Sequence, residues 1–293
     1  MTRTAIATFL FLAVTSPLFA WGQKGHYMVS EAATFEVPTD MPHFFHRHYP
    51  ELIYLGYDPD RWRSNGESLN ALNPPEHFLD YEFVDHLELP PDRYEFIQLL
   101  SDSGTLRRKG IENTSPGFSP WRIAELTELM ELQWRLWRQT DITPRERGQI
   151  EQNIILYSGV LGHYVADAAN PHHTTINYNG WIEPNPENFA FDCDTHSRFE
   201  TQFVSRVMDM PPVIARLREP VLRENYFDTA LAFIKESNAL VETLYRIDRD
   251  GELRGDGTER SREFAADRMA AGASLLRDLW WSAWKNSEKP VRR

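Results

Sequence analysis

Two pairs of residues in the middle of the chain have the types and spacing to hold a cation. His163 and Asp167 are four residues apart, and so are His196 and Glu200. On a helix that separation stacks two side chains on one face, about 5–6 Å apart at Cβ. Pro171, His172 and His173 lie between the pairs. Imidazole nitrogen and carboxylate oxygen are ordinary zinc donors, and catalytic sites keep one position open for water or substrate. One such pair alone is commonly a surface ion pair. Two pairs joined by a proline turn that carries two more histidines point to metal. His43, His46 and His48 have no acidic partner beside them and read as a structural cluster.

The elements that must position these residues read as helices. Thr143-Pro144-Arg145-Glu146 is a capping box with proline at the first helical position. The helix it opens runs through Ile150, Ile154, Tyr157 and Leu161 and must stop near Asn170, before Pro171. Gly159, Gly162 and Ala166 keep one side of it slim, which predicts a buried helix with close neighbours. Asp194 or Thr195 is expected to cap the helix that carries His196 and Glu200, with a break at Pro211-Pro212. Upstream, Ile123, Leu126, Met130, Trp134 and Trp137 follow three–four spacing on a helix ending near Thr140. Further helices are expected at 27–35, from Asp40 through His48, at 226–246 and at 259–285. The 50–82 stretch, broken by Pro59, Gly66, Pro74 and Pro75, reads as loops and short turns. No repeat, strand-rich segment or internal boundary stands out, so 21–293 reads as one all-α domain.

Residues 1–20 do not belong to that domain. Arg3, an apolar run at 5–14 and a small-residue region at 15–20 have the layout of a secretory signal peptide. Cleavage after Ala20 would start the mature chain at Trp21 and send it out of the cytoplasm, to the periplasm or the medium. Cys193, flanked by Asp192 and Asp194, is the only cysteine, so no intrachain disulfide can form. Stability must then come from a core, bound metal or both. The net charge of −12 disfavours tight binding to long nucleic acids. No second apolar run approaches a membrane span, so no transmembrane anchor is expected in the mature chain, which reads as a monomer.

The motifs together resemble the superfamily of zinc-dependent phospholipases C and single-strand-specific zinc nucleases. His163, Asp167 and His173 match its His-x3-Asp-x5-His spacing, and His196 and Glu200 its His-x3-Glu. Trp21-Gly22-Gln23-Lys24-Gly25-His26 matches the nuclease opening, in which the N-terminal tryptophan is itself a ligand. The resemblance implies an all-α fold, three zinc ions and a ligand for each position. One ion would take Asp60, His77, His163 and Asp167. A second would take the α-amine and carbonyl of Trp21, with His26 and the bridging carboxylate of Asp167. The third would take His173, His196 and Glu200. Arg63, three residues past Asp60, matches a nuclease arginine that would neutralise charge on the phosphate, and Asp60 and Arg63 are the expected catalytic residues. Phe78, next to His77, reads as a core residue in preference to a stacking one, and His172 as a neighbour supporting the ligands.

The two branches divide the remaining signals. Trp-Gly-x-x-Gly-His and Asp60-x-x-Arg63 resemble the nucleases. Glu200, the His-Ser-Arg-Phe-Glu string, the run after His173 and the lack of disulfides resemble the phospholipases. The Gly-Gly-Asn stretch of the nucleases is replaced by Asn177-Tyr178-Asn179-Gly180. The 181–193 insert matches neither branch and is expected to shape the cleft. The resemblance thus implies hydrolysis of phosphodiesters, with phospholipid preferred to single-stranded nucleic acid. A reading from another class is an exported, non-catalytic binding domain that kept its zinc ligands for folding.

Overall fold

A computed structural model describes residues 21–63, 66–104, 114–182 and 184–289; the expected signal peptide at 1–20 lies outside the described residues. The fold is all-α, as expected. Among the described residues no strand forms, and only two isolated bridges, Leu79 with Gly117 and Tyr178 with Gly180, join extended backbone.

The organising element is the helix Pro144–Ala169. It starts as its sequence requires: Glu146 N donates to Thr143 Oγ1 (3.2 Å), and Thr143 N donates to the Glu146 carboxylate (2.8 Å). It ends at Ala169 because Asn170, ahead of Pro171, is extended (φ −84°, ψ 119°). Every residue from Ser158 through Ala169 is buried. Burial of Val160, Leu161 and Val165 contributes about 1.5–3 kcal/mol each, which offsets the cost of holding His163 and Asp167 away from water. The slim side does what its small residues suggest. A Cβ on Gly159 would lie 2.4 Å from Leu55 Cβ, and one on Gly162 would lie 3.1 Å from Ser30 Oγ. The helices Tyr49–Leu55 and Gln23–Ala33 therefore come within reach of His163.

Two long helices close the other sides, Ser119–Trp137 and Glu259–Asn286. Ile123, Leu126, Met130 and Trp134 of the expected stripe are buried. Trp134 meets Phe44 at 5.4 Å and Trp284 at 5.0 Å between ring centroids. These aromatic contacts tie the His43–Arg47 and Glu259–Asn286 helices to Ser119–Trp137.

Several expectations fail, most of them because proline opens helices here. The 50–82 stretch is not irregular but holds Tyr49–Leu55, Asp58–Arg63, Glu67–Leu72 and two short 3₁₀ turns. Pro50, Pro59 and Pro74 sit in the first turns of their segments, where a missing N–H costs nothing. Likewise Pro211 and Pro212 do not break the helix bearing His196; it ends at Val207, and they start the next one, Met210–Ile214. Asp40 caps nothing, since the short helix is His43–Arg47; it accepts from Trp281 Nε1 (3.0 Å) and pairs with Lys285 (3.2 Å). The 226–246 helix is two, Tyr226–Asn238 and Val241–Arg249.

Candidate metal centre

Seven separate segments bring donors to one buried cluster. The central helix supplies His163 and Asp167, and Gln23–Ala33 supplies His26. Asp60 comes from Asp58–Arg63, His77 from the turn Pro74–His77, and His173 from the turn Pro171–Thr174. His196 sits in the turn Thr195–Ser197, and Glu200 in the π-helical turn Arg198–Phe203 that continues it. The expected plain α-helix is thus interrupted by a wider turn. It still places His196 Nε2 2.7 Å from Glu200 Oε2, while Phe199 and Phe203 both reach the core. Single π turns are frequent at functional sites.

Three groups of residues each hold their donor atoms within 4.8 Å of one another: His26, His163 and Asp167; Asp60, His77 and His163; and His173, His196 and Glu200. Asp167 is their common neighbour. Its Oδ1 faces His26 (3.5 Å) and His173 (3.9 Å), and its Oδ2 faces His77 (2.9 Å) and His163 (3.3 Å).

The hydrogen bonds behind the cluster decide which nitrogens point inward. His163 Nδ1 lies 3.0 Å from the Gly56 carbonyl, and His173 Nδ1 lies 3.0 Å from the His77 carbonyl. A carbonyl only accepts, so each Nδ1 must carry the proton, and each Nε2 turns a lone pair toward the cluster. There His163 Nε2 is 3.0 Å from His77 Nδ1, and His173 Nε2 is 3.1 Å from His196 Nε2. Asn170 Nδ2 donates to Glu200 Oε2 (3.1 Å) and fixes its carboxylate.

Burial leaves much of this chemistry uncompensated. Both ring nitrogens of His26, Nε2 of His77, Nδ1 of His196, Oδ2 of Asp60 and Oδ1 of Asp167 are buried without a hydrogen-bond partner. Each such atom costs about 1–3 kcal/mol. Desolvation is the leading cause of the shifts: His163 and His196 fall to about 3, Asp60 and Glu200 rise to about 7, and Asp167 rises well above the usual carboxylate range. Neutral imidazoles crowded on carboxylates that resist ionising are the donor set a divalent cation satisfies at once. The residues fit metal, and the nitrogen–oxygen donors suit zinc.

The other expected site residues are also near. Trp21 is buried, and its Nε1 donates to the Ala166 carbonyl (2.6 Å), one residue before Asp167. Its ring meets Phe199 at 5.2 Å. Arg63 Nη1 reaches Asp60 Oδ1 at 3.4 Å. Arg63 also lines a cavity of about 350 Å³ whose wall includes His77, His172, His173 and His196. A roomier groove of about 730 Å³ beside Tyr54 and Leu156 is lined by no member of the three donor groups. His43, His46 and His48 stand apart from the three groups: His46 Nδ1 meets the Tyr49 hydroxyl and His48 Nδ1 the Phe44 carbonyl, both at 2.7 Å.

Some of the wall escaped sequence reasoning. Phe78 is half-buried and lines the cavity instead of joining the core. Asp80 and Tyr178 line it too, and burial pushes the Asp80 carboxyl up to about 8. Asp80 lies three residues past His77, a polar residue in an otherwise apolar turn, which was the available signal. The 181–193 insert contributes no wall residue among those described. Phe189 buries itself against Tyr245 and Val241, and the Tyr245 hydroxyl donates to the Asn177 carbonyl (2.5 Å). The insert therefore buttresses Tyr178 from behind. Arg198, between His196 and Glu200, bonds Asp248 and Asp192, each at 2.6 Å, and locks the π turn against the Val241–Arg249 helix.

No protein-family model matches this chain, and no curated protein matches it. Among solved structures it is similar to the alpha toxin from Clostridium absonum, with 14% identity and a TM-score of 0.46 over 94% of this chain and 67% of that one. It is also similar to the alpha-toxin of an avian strain of Clostridium perfringens, with 12% identity and a TM-score of 0.44 over 92% of this chain and 65% of that one. The chain thus spans about two thirds of the length of these toxins. Eight of the nine residues implied as ligands fall in the three buried groups, and Trp21 packs beside them. The helical fold class and the gathering of these residues at one buried site are those the sequence motifs lead one to expect.

Proposed function

We propose that this chain is an exported zinc-dependent phosphodiester hydrolase, with phospholipid favoured as substrate. The observation that carries the reading is Asp167, buried with donors of all three groups within 4 Å of its two oxygens. Asp60, His77, His163 and Asp167 would hold one ion. His26 and Asp167 would hold a second, together with the α-amine and carbonyl of Trp21 once export removes residues 1–20. An α-amine, with its reference pKa of about 7.7–8.0, sheds its proton readily enough to ligate near neutral pH. His173, His196 and Glu200 would hold the third. Zinc bound in such a set supplies Lewis acidity toward phosphoryl oxygens and an acidified water as nucleophile.

The protein's own groups do the rest. Arg63, at the cavity wall and steadied by Asp60, presents a fixed cation to the phosphoryl oxygens, where charge grows in the transition state. The Gly56 and His77 carbonyls keep His163 and His173 in one tautomer, so no reorganisation is needed on binding. Phe78 and Tyr178 line the cavity, and their rings suit a hydrocarbon-bearing substrate.

Single-strand-specific nuclease activity is the second reading. It is favoured by those same aromatic faces, because bases stack on such platforms for about 1–3 kcal/mol each. The net charge of −12 counts against it. Phosphatidylcholine vesicles, single-stranded DNA, RNA and a chromogenic phosphodiester assayed side by side decide between them. Lipid cleavage supports the first reading, and cleavage of nucleic acid alone removes it. A protein that melts on chelation yet never turns over with zinc would be the non-catalytic binding domain.

A further inference from the structure

The central helix ends inside the protein, and its last turn is capped from far away in the chain. Asn170 is extended ahead of Pro171, so the backbone does not curl back to cap the helix with its own N–H groups. The last four carbonyls of a helix need donors from elsewhere, and all four residues here are buried. Asp167 O finds a local donor, the Asn170 N–H (2.9 Å). Trp21 Nε1 donates to Ala166 O (2.6 Å), Ser237 Oγ to Ala168 O (2.5 Å) and Arg268 Nε to Ala169 O (2.9 Å). Arg268 is the centre of this cap. It is 4% exposed, and its two other guanidinium nitrogens reach the Glu236 carboxylate (2.9 Å) and Ser237 Oγ (2.8 Å). With Arg268 donating to the Ser237 oxygen, the hydroxyl keeps its single proton for the Ala168 carbonyl. The buried cation thus meets the negative end of the helix that carries His163 and Asp167.

We propose that Arg268 is a positioning residue for the metal centre: by capping the last turn of the central helix it sets Asp167 against the group of His173, His196 and Glu200. The inference rests on the zinc reading of this site and adds a residue to it. The stretch that Arg268 holds has donors on both sides. Asp167 lies two residues before Ala169. Asn170, the next residue, donates through Nδ2 to Glu200 Oε2 (3.1 Å), and its carbonyl accepts from the His173 N–H (3.0 Å). A shift of the Ala169 carbonyl therefore moves Asp167 relative to His173 and Glu200. The planar guanidinium serves its three acceptors in three directions at once, and an ammonium in the same place would keep the charge without that fixed geometry.

The test compares the zinc-loaded full chain with Arg268→Met, Arg268→Lys, Ser237→Ala and a control, Arg277→Met. Arg277 is buried on the same helix, but it bonds the Phe35 carbonyl (3.1 Å) and the Arg218 carbonyl, neither of which adjoins a donor residue. Melting temperature, zinc affinity by competition with a chromophoric chelator well below the melt, and phosphodiester turnover are measured on each. Both Met variants are expected to melt lower, because each strips buried carbonyls of a donor. Zinc affinity is expected to fall roughly ten- to a hundred-fold in Arg268→Met and to stay at the wild-type value in Arg277→Met. Arg268→Lys is expected to recover part of the loss, since it keeps the charge and one donor. Ser237→Ala frees the Ala168 carbonyl without touching a buried charge, so it gives the same answer if Arg268→Met does not fold. Unchanged zinc affinity in Arg268→Met, or in Ser237→Ala where it stands in, overturns the proposal. An equal loss in Arg277→Met also overturns it, because the effect would then be general loosening of the fold. A wild-type protein that binds no zinc removes the metal reading and this inference with it. Zinc affinity that depends on Arg268 in a protein that hydrolyses no phosphodiester sinks the hydrolase reading and leaves the positioning role standing.

Discussion

Stripping the metal is expected to make the protein's stability fall as pH rises, and the size of the effect follows from the buried carboxylates. Burial lifts Asp60 from 3.8 and Glu200 from 4.5 to about 7 in the metal-free fold. An acid whose folded pKa is raised contributes stability below its unfolded pKa and loses it as pH climbs through the folded value. Between about pH 6.5 and 8.5, each of the two groups loses about 1 kcal/mol, so about 2 kcal/mol in all. At roughly 2–4 °C per kcal/mol for a chain of this size, that is a fall on the order of 5 °C. The histidines act on the other side. His163 and His196, lowered to about 3, stay neutral in the fold, so their contribution is present above about 6.5 and lost as pH drops below it. The chelated protein is therefore expected to be most stable near pH 6.5. In the zinc-loaded protein the same carboxylates are expected to be already ionised as ligands, and their share of the alkaline decline disappears. Asp80, outside the three donor groups, titrates in both forms and cancels in the difference. Calorimetric melting with and without chelator, from about pH 5 to 9, reads both limbs. A metal-free melting temperature that is flat or rises from about pH 6.5 to 8.5 would refute the reasoning.

Three other perturbations test the site's supports. Asp167→Asn keeps the shape but removes the charge shared by all three groups, so zinc content is expected to drop by at least one ion per chain. Turnover is expected to fall at least roughly 100-fold, since even partners outside the ligand set carry 10–100-fold. Gly159→Ala puts a methyl 2.4 Å from Leu55 Cβ; it is expected to cost about 1–3 kcal/mol in denaturant melts. It would also weaken zinc binding, because the backbone it displaces leads to the Gly56 carbonyl that holds His163. Asp248→Ala leaves Arg198 half-paired beside His196 and Glu200. A loss of about 3 kcal/mol is expected, and in a chelator titration the third group should release its ion first.

The centre of the fold was legible because local chemistry and tertiary need agree there. Thr143-Pro144-Arg145-Glu146 and Asn170-Pro171 bound the central helix, and Gly159 and Gly162 announce its close neighbours. His163 and Asp167 then share a face of a helix whose ends are known. The short segments between 49 and 83 were less legible. Pro50, Pro59 and Pro74 punctuate them, and proline marks the start of a helix as readily as its end. Which one applies depends on packing against the central helix, and that is not written locally. The break after Asn238 has no glycine or proline to mark it. The π turn at Arg198–Phe203 is hidden for a similar reason. His-x3-Glu looks the same in either helix type, and the choice is made by burying Phe199, Glu200 and Phe203 together. Phe78 and Tyr178 were legible as aromatics, but only the folded chain shows that they face the cavity.

The central claim is that zinc held at Asp167 and its neighbours makes this chain a phosphodiester hydrolase. The most direct measurement is turnover of a chromogenic phosphodiester by protein beginning at Trp21, with metal content determined on the same samples before chelation, after it, and after zinc is restored. The expected result is zinc in the purified protein, no turnover after chelation, and recovery in step with zinc bound. Undiminished turnover after chelation, or full zinc reloading with no turnover of any phosphodiester, would contradict it.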